Sequence, residues 1–514
     1  MGKTHFFSLF YGAASGDGAL LAHGPVLALA APGVYLRSKV FGPVEEAAGS
    51  PVPAVEQTLA AHIAEAVVGQ IGLGFENYGD HSSSGYVKGT YLWDNNEYDL
   101  PAGALLHFFR TGDRGALCAG LVGAQHFVDV DRIHYSYGHP EWVGAAHTHS
   151  HGAVGHHTAD APNMHHAGYV LGLIWSTYLT GNPDGLDGAV TIAEWVLRNI
   201  RPEANVGQME RAMGLPLMTL NDVYEATGDE RFLRGAARLA AWALRWEHPT
   251  RSGFLAPITE QPAYYSGAPF CGGLLSNALS RFNDWAGDPE LEALLERVGR
   301  WLLTDMGRPP GRIMSKGGSP RRGADAQHVA THLPLLRRCY LRTGDPLFLL
   351  LPASALRTGF GTRARPFGTR ATGLVFNHAP AFFPLLRGWE ETGPGADLEL
   401  RAIRPHVRLR PGETATVEFL IRNRGRAPGT ELRVAFQPRL DYQVVAPPES
   451  AAVLAPGESR TVRCRVRAPS GINLTSQHNR ISYAHLCVAC HQAGRRVPAR
   501  ATVQMELTAG EPLP

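Results

Sequence analysis

The stretch VYEATGDERFLRG (223–235) decides the fold. Gly228 accepts the left-handed backbone conformation that ends one helix. Asp229 then caps the exposed N–H groups of the next. The same punctuation stands at Phe109-Arg110-Thr111-Gly112-Asp113, Thr180-Gly181-Asn182, Ala286-Gly287-Asp288 and Thr343-Gly344-Asp345. Each mark reads as a tight turn between two helices. Successive marks lie roughly 47 to 69 residues apart, which is room for two helices and two loops. With an entry helix over PAVEQTLAAHIAEAVVGQ from about residue 55, they predict five or six helical hairpins. Such hairpins bury one helix inside and one outside, and a closed ring leaves no exposed end. An open helical solenoid is the alternative.

Long loops interrupt the rhythm at 76–99, 127–168, 247–270 and 306–328. On a helical scaffold such loops are where sites are built. After about residue 395 the period changes to two, with Pro-Gly-Glu turns at 411–413 and 456–458. Short strands at regular spacing predict a sandwich. The expected class is multidomain α + β: a central (α/α)6 toroid over 51–392 and an immunoglobulin-like β-sandwich over 393–514. Residues 1–50, with the apolar runs VLALAA and VYLRSKVFG, read as strands, the remnant of an N-terminal β-domain and its linker.

The 514 residues are 44% hydrophobic and 18% charged, ordinary for globular chains. A formal net charge of +2 gives no reason to expect nucleic acid as a partner. No apolar run is long enough to span a membrane. The N-terminus lacks the uninterrupted apolar core of a signal peptide. Lysine stands only at Lys3, Lys39, Lys88 and Lys316. Cys118, Cys271 and Cys339 read as buried thiols in helices. Cys487-Val-Ala-Cys490-His491 matches a haem-attachment pattern, but it falls in strand-like text with no second axial ligand nearby, so haem is not expected.

Two segments carry the chemistry. Nine of the 23 histidines lie in 127–169. His147-Thr-His149-Ser-His151 sets three imidazoles on one face if extended, for proton transfer or a divalent ion. Tyr135, Trp142 and His157 belong to the same segment. The second segment is Lys88-Gly-Thr-Tyr-Leu-Trp93-Asp-Asn-Asn96-Glu97-Tyr-Asp99. Trp93 offers a face for a sugar ring, and Asn96 and Glu97 offer hydrogen bonds to hydroxyls. Asp99, just before Leu-Pro, fits a helix cap better than a ligand contact. Arg211, the pair Tyr264-Tyr265 and Lys316 are further candidates on loops between helices.

Trp93-Asp-Asn-Asn-Glu97-Tyr98-Asp99, Phe109-Arg-Thr-Gly-Asp113, His126-Phe-Val-Asp129-Val-Asp131-Arg-Ile-His134 and the His-rich stretch, in that order, resemble the exo-rhamnogalacturonan lyase family. Residues 30–44 resemble the link that leaves that family's N-terminal β-domain, most of which this chain lacks. The resemblance spans roughly 30–390. It implies a β-domain, an (α/α)6 toroid and C-terminal β-domains, with β-elimination on uronate-containing pectic backbones. A polysaccharide substrate of that class favours a secreted or periplasmic location.

Elimination removes the C5 proton of a uronate once its carboxylate charge is neutralised. The residue chemistry offers His149 or His151 as base, Lys88 and Arg211 as neutralisers and Tyr135 as acid. Trp93, Asn96, Glu97, Trp142, His157, Tyr264 and Tyr265 are candidate substrate contacts. A divalent cation, Ca or Zn, is another source of the neutralising charge, with no ligands assigned. Two other readings stay open. A glycoside hydrolase would pair Glu97 or Asp94 with Asp129 or Glu141. A non-catalytic glycan-binding relative would show aromatics on an open face.

Overall fold

The computed structural model describes residues 27–69, 78–80, 82–84, 91–148, 161–201, 210–254, 256–258, 264–266, 268–308, 312–314, 324–325, 327–356, 369–387, 397–448, 452–472, 474, 480–492 and 495–508. Thirteen α-helices fall among the described residues. In chain order they are α1 (Pro32–Ser38), α2 (Pro53–Gly69), α3 (Leu100–Thr111), α4 (Arg114–His126), α5 (Leu171–Thr180), α6 (Asp184–Asn199) and α7 (Arg211–Thr227). There follow α8 (Glu230–Trp246), α9 (Pro269–Ala286), α10 (Pro289–Trp301), α11 (Leu333–Thr343), α12 (Leu347–Ala355) and α13 (Thr369–His378).

The five turn marks sit where the sequence places them. Gly112, Gly181, Gly228, Gly287 and Gly344 all have φ between 61° and 77°. Each donates its N–H to a carbonyl of the helix it ends. Asp113, Asp229, Asp288 and Asp345 accept N–H groups of the following helix. The threonine of the mark has a use of its own. Thr111, Thr180, Thr227 and Thr343 donate back to the carbonyl four residues earlier and accept the N–H two residues ahead. In the Ala-Gly-Asp copy, Asn283 Oδ1 accepts the Asp288 N–H instead. A cap of this kind contributes about 1 kcal/mol.

These turns run from an inner helix to an outer one. α3, α5, α7, α9 and α11 pack in turn side by side, and α13 packs on α3 and on the 3-10 turn Gln327–His332 that leads into α11, so the inner ring closes. α4, α6, α8, α10 and α12 lie outside, and α2 packs against α4 and α13 as the sixth outer helix. The result is a ring of six helical pairs around one continuous apolar core. Burial shows the asymmetry: Leu100 to Arg110 of α3 are all buried, whereas α8 buries one stripe, Phe232, Gly235, Ala236, Leu239, Ala240, Ala243 and Trp246. The connections from outer to inner helices are the long loops. All of them therefore gather at the N-terminal ends of the inner helices, opposite the tight turns.

The expectation of strands over residues 30–44 does not hold. Pro32–Ser38 is a helix, opened by Pro32 and ended by Lys39 at φ 57°. Its Tyr35 packs on Phe108 and Phe109, and Phe41 stacks on Phe109 and meets Trp175 edge-on. Apolar side chains at spacing of three and six find the ring wall, so this segment belongs to the ring. Residues 1–26 lie outside the described residues.

The C-terminal part is a two-sheet sandwich with its own core. Its strands are β1 (Leu398–Ala402), β2 (His406–Leu409), β3 (Thr414–Asn423), β4 (Gly429–Gln437), β5 (Gln443–Ala446), β6 (Val453–Leu454), β7 (Ser459–Arg467), β8 (Ile481–Gln492) and β9 (Arg495–Leu507). One sheet has the order β5-β7-β3-β1, the other β6-β4-β8-β9-β2. The β9–β2 pair is parallel, and the other sandwich pairs are antiparallel. The two Pro-Gly-Glu copies build equivalent turns, with Glu413 accepting the Arg410 N–H and Glu458 that of Ala455.

The second sheet docks on the ring. Cys487 joins the ring core, while Cys490 joins the sandwich core. Three residues apart on one strand, the two thiols point to opposite faces. His485 Nε2 donates to the Leu303 carbonyl at 3.1 Å, and its Nδ1 accepts from Thr502 at 3.1 Å. Arg300 reaches Gln437 at 3.0 Å. No helix among the described residues is long and apolar enough to cross a membrane.

Candidate functional site

The site grows from Trp93 to Asp99, where the chain enters α3. Asn95, Asn96, Tyr98 and Asp99 all have φ between 48° and 69°. Left-handed backbone is costly for non-glycine residues, and four in five positions persist only where surroundings over-determine them. They do so here. Asp80 accepts the N–H groups of Asn95 and Asn96 at 2.9 and 3.2 Å. Asn95 Nδ2 donates to the Thr148 carbonyl at 2.9 Å, and Asn96 Nδ2 to the Gly123 carbonyl at 3.3 Å. Asp99 accepts from Ala102 at the start of α3 and from Leu171 and Gly172 at the start of α5. One carboxylate thus caps two inner helices. Burial pushes its pKa up to about 7 against those bonds.

This strained turn delivers Glu97 and Tyr98 to the first residues of α7. Arg211 Nη1 stands 3.3 Å from Glu97 Oε1 and 3.1 Å from the Tyr98 hydroxyl. Glu97 is 2% exposed. His166 Nε2 lies 3.9 Å from the same Glu97 oxygen, with Nδ1 on Asn163. Tyr169 meets Tyr98 edge-on. Burial, then the Glu97 charge, hold the Tyr98 hydroxyl well above its ordinary range, so it is a protonated phenol. Arg211 uses only Nη1 here; its Nε and Nη2 have no partner among the described residues.

Beside Arg211, Glu210 is buried and accepts the Ala268 N–H at 2.8 Å. Burial raises its pKa to about 8, which leaves it neutral near pH 7. Cys271, one turn into α9, is buried within reach of the charges of Glu210, Arg211 and Glu97, and burial raises its thiol pKa well above normal.

Behind the strained turn lies a second buried group. One ligand atom each of Asp80, His126 and Asp131 lie within 4.8 Å of one another. Each of the three is also bonded within the protein. Both Asp80 oxygens take backbone N–H groups. His126 Nε2 is on Asp131 Oδ1 at 3.2 Å. Burial opposes its charge, but the Asp131 pair outweighs it and raises the His126 pKa. These donors bond to the protein, and the set braces Asn95 and Asn96.

Of the residues expected from sequence, Glu97 and Arg211 come together directly. Asn96 is buried, and its Nδ2 donates to the Gly123 carbonyl and Asp131. Trp93 is half-buried at the head of the turn. Tyr135 lies on the surface. It is 75% exposed. Its loop is fastened to the outer helix α6, where Trp195 bonds the Glu141 carbonyl and Arg198 that of Val143. Trp142 is on this loop too, stacked on His139, and Glu141 is exposed with His139 as partner. The polar residues of 132–143 therefore cover an outer helix, so Glu141 does not face Glu97 across a cleft. Asp129 is held by Tyr78 and Gln125. His149, His151, His157, Lys88 and Lys316 lie outside the described residues. Tyr264 and Tyr265 sit on a strand paired with Ala256–Ile258.

Tyr98 and Glu210 were not singled out from the sequence, and His166 only as one histidine of the 127–169 segment. Tyr98 and Glu210 adjoin Glu97 and Arg211 in the chain, but nothing local tells that both would be buried.

No protein-family model matches the chain, and no curated protein matches its sequence. Among solved structures it is similar to a cellobiose 2-epimerase from Bacillus thermoamylovorans, at 10% identity and a TM-score of 0.47, over 60% of this chain and 86% of that one. It is similar to a GH127 β-arabinofuranosidase at 12% identity and a TM-score of 0.40, over 89% and 91%. A polysaccharide lyase gives 12% identity and a TM-score of 0.43, over 64% and 98%. Likeness of this degree assigns no reaction.

Proposed function

We propose that the protein is a glycan-active enzyme working at the loop face of the ring, and that its reaction is β-elimination on a uronate-containing chain of rhamnogalacturonan type. The observation that carries this reading is Arg211. One of its nitrogens holds Glu97 and Tyr98, which fixes the guanidinium plane. The other edge is a two-nitrogen fork with no partner among the described residues, the geometry that takes a carboxylate in a bidentate grip. A uronate carboxylate there loses its charge to Arg211, and its C5–H becomes acidic enough to remove.

In this reading His149 or His151 takes the C5 proton and Lys88 adds to the neutralising charge. The electron pair forms the C4=C5 bond, the C4–O4 bond breaks, and O4 takes a proton. Tyr98 replaces Tyr135 as its donor. It is a protonated phenol beside Arg211, whose charge eases the phenolate that remains. The ordered resemblance of residues 93–134 to the exo-rhamnogalacturonan lyase family supports the substrate class, and the sandwich is then an immunoglobulin-like accessory domain.

The test is ultraviolet absorbance of the protein with rhamnogalacturonan, with and without chelator, beside a reducing-end assay. A new C4=C5 chromophore that is lost in Arg211→Lys supports the reading. Loss of the chromophore with chelator would mean that a divalent cation serves the reaction. New reducing ends without the chromophore replace elimination by hydrolysis.

A further inference from the structure

The ring has a second opening, at the tight-turn face. A cavity of about 1360 Å³ runs along the ring axis from Tyr98, Asp99 and Tyr169 to the last turns of α5, α7, α9 and α11. Tyr98 is thus a septum: its hydroxyl serves Arg211, while its residue also floors this cavity.

Three features of the wall are unusual together. Tyr178 and Trp285 stand at the mouth, 49% and 38% exposed. Trp285 is set by an edge contact with Tyr224. Arg337 lines the wall half-buried, its Nε without a hydrogen-bond partner among the described residues, with Asp284 as the acidic charge that acts on it. Its neighbours differ: Arg281 is consumed by Asp222 and Glu225, and Arg338 by Asp284 and Glu292. Deeper in, Asn277 and Asn377 each donate Nδ2 to backbone carbonyls, and each leaves a buried Oδ1 without a partner among the described residues. Asn277 is 6% exposed.

From this juxtaposition we infer that the turn-face cavity is a binding site for a sugar residue, with a carboxylate-bearing sugar preferred. The apolar face of the sugar lies on Trp285 or Tyr178, and its carboxylate pairs with Arg337. Ordered water alone answers neither the exposed aromatic pair nor the guanidinium. The site is apart from the Arg211 fork, and the inference stands whether or not elimination occurs at the loop face.

The experiment is saturation-transfer NMR of the full chain with galacturonate, glucuronate, galactose and glucose, on wild type, Trp285→Ala, Arg337→Gln and Arg211→Gln. Thermal unfolding of each variant confirms that it is folded; Trp285 and Arg337 lie at the cavity wall, outside the ring core. The expected result is transfer to the uronates, about tenfold weaker binding in Trp285→Ala, loss of the acid preference in Arg337→Gln, and, in Arg211→Gln, transfer that persists and is still weakened by adding Trp285→Ala. Transfer that survives Trp285→Ala and vanishes in Arg211→Gln places the sugar at the loop face and overturns the inference. No transfer from any of the four sugars also overturns it. Equal response to acid and neutral sugars removes the preference assigned to Arg337.

Discussion

Arg211 Nη1 is shared between the Glu97 carboxylate at 3.3 Å and the Tyr98 hydroxyl at 3.1 Å, so two consecutive residues of a strained turn are tied to the start of one inner helix. Lysine retains the charge but has no second edge, and it cannot bond Glu97 while gripping a carboxylate in a plane. Arg211→Lys is expected to stay folded and to lower kcat/KM on the uronate substrate about a hundredfold. Arg211→Ala leaves Glu97 buried without its cation and is expected to cost about 3–5 kcal/mol in stability. Chromophore kinetics and denaturant unfolding check the two. Equal loss of activity and stability in both variants would make Arg211 structural.

Asp99 and Gly172 set the spacing between α3 and α5. A Cβ at position 172 would lie 2.6 Å from Asp99 Oδ1 and 2.7 Å from the Ala102 nitrogen. Neither atom belongs to a flexible chain end. Gly172→Ala is therefore expected to destabilise by about 1–3 kcal/mol, and to weaken the turn that presents Glu97. Differential scanning calorimetry reads this as a lower Tm, whereas Gly181→Ala, where only the positive φ of a solvent-facing turn is at stake, gives the smaller shift.

The ring was legible because its punctuation is local. Thr-Gly-Asp carries the helix end, the cap and the hydroxyl bridge within three residues, and three copies with the variants Thr-Gly-Asn and Ala-Gly-Asp set the period. The sandwich was legible for the same reason, through period two and its Pro-Gly-Glu turns. Pro32–Ser38 was misread because Val34, Tyr35 and Leu36 suit a strand locally, and only the ring wall at Phe108 and Phe109 makes a helix of them. The site was half legible. Glu97 and Arg211 stand out by residue type, but their pairing spans 114 positions, and no local signal reports it. Tyr135 was chosen for its company of histidines, and its loop instead follows Trp195 on an outer helix. Burial of Glu210 and Tyr98 comes from α9 and α5, which the sequence places only as neighbours in the ring.

Glu210 carries a raised pKa of about 8, with burial as the cause. Its folded value lies above the unfolded one, so its contribution to stability is full below about pH 4.5 and is lost as pH rises through 8. Gln is a near-isostere of the neutral acid and retains the oxygen that accepts from Ala268. Glu210→Gln is expected to match wild type in Tm near pH 5 and to exceed it at pH 9. A Tm difference independent of pH would mean that Glu210 is ionised in the fold.

His485 tests the docking of sandwich on ring. Its Nε2–H is held by the Leu303 carbonyl and its Nδ1 by Thr502, so the ring is neutral and has no site for a second proton. Burial lowers its pKa to about 3. The unfolded chain binds that proton near pH 6.5 and the folded one does not, so stability is present above 6.5 and falls as pH drops toward 3. His62 and His378, both lowered to about 4 by burial, act in the same direction. His485→Gln retains an amide donor for Leu303 and removes one titrating group. The variant is expected to lose less Tm than wild type between pH 6.5 and 4, measured by circular dichroism at matched ionic strength. Identical slopes would mean that the interface opens before His485 titrates, and that the sandwich separates from the ring as a unit in acid.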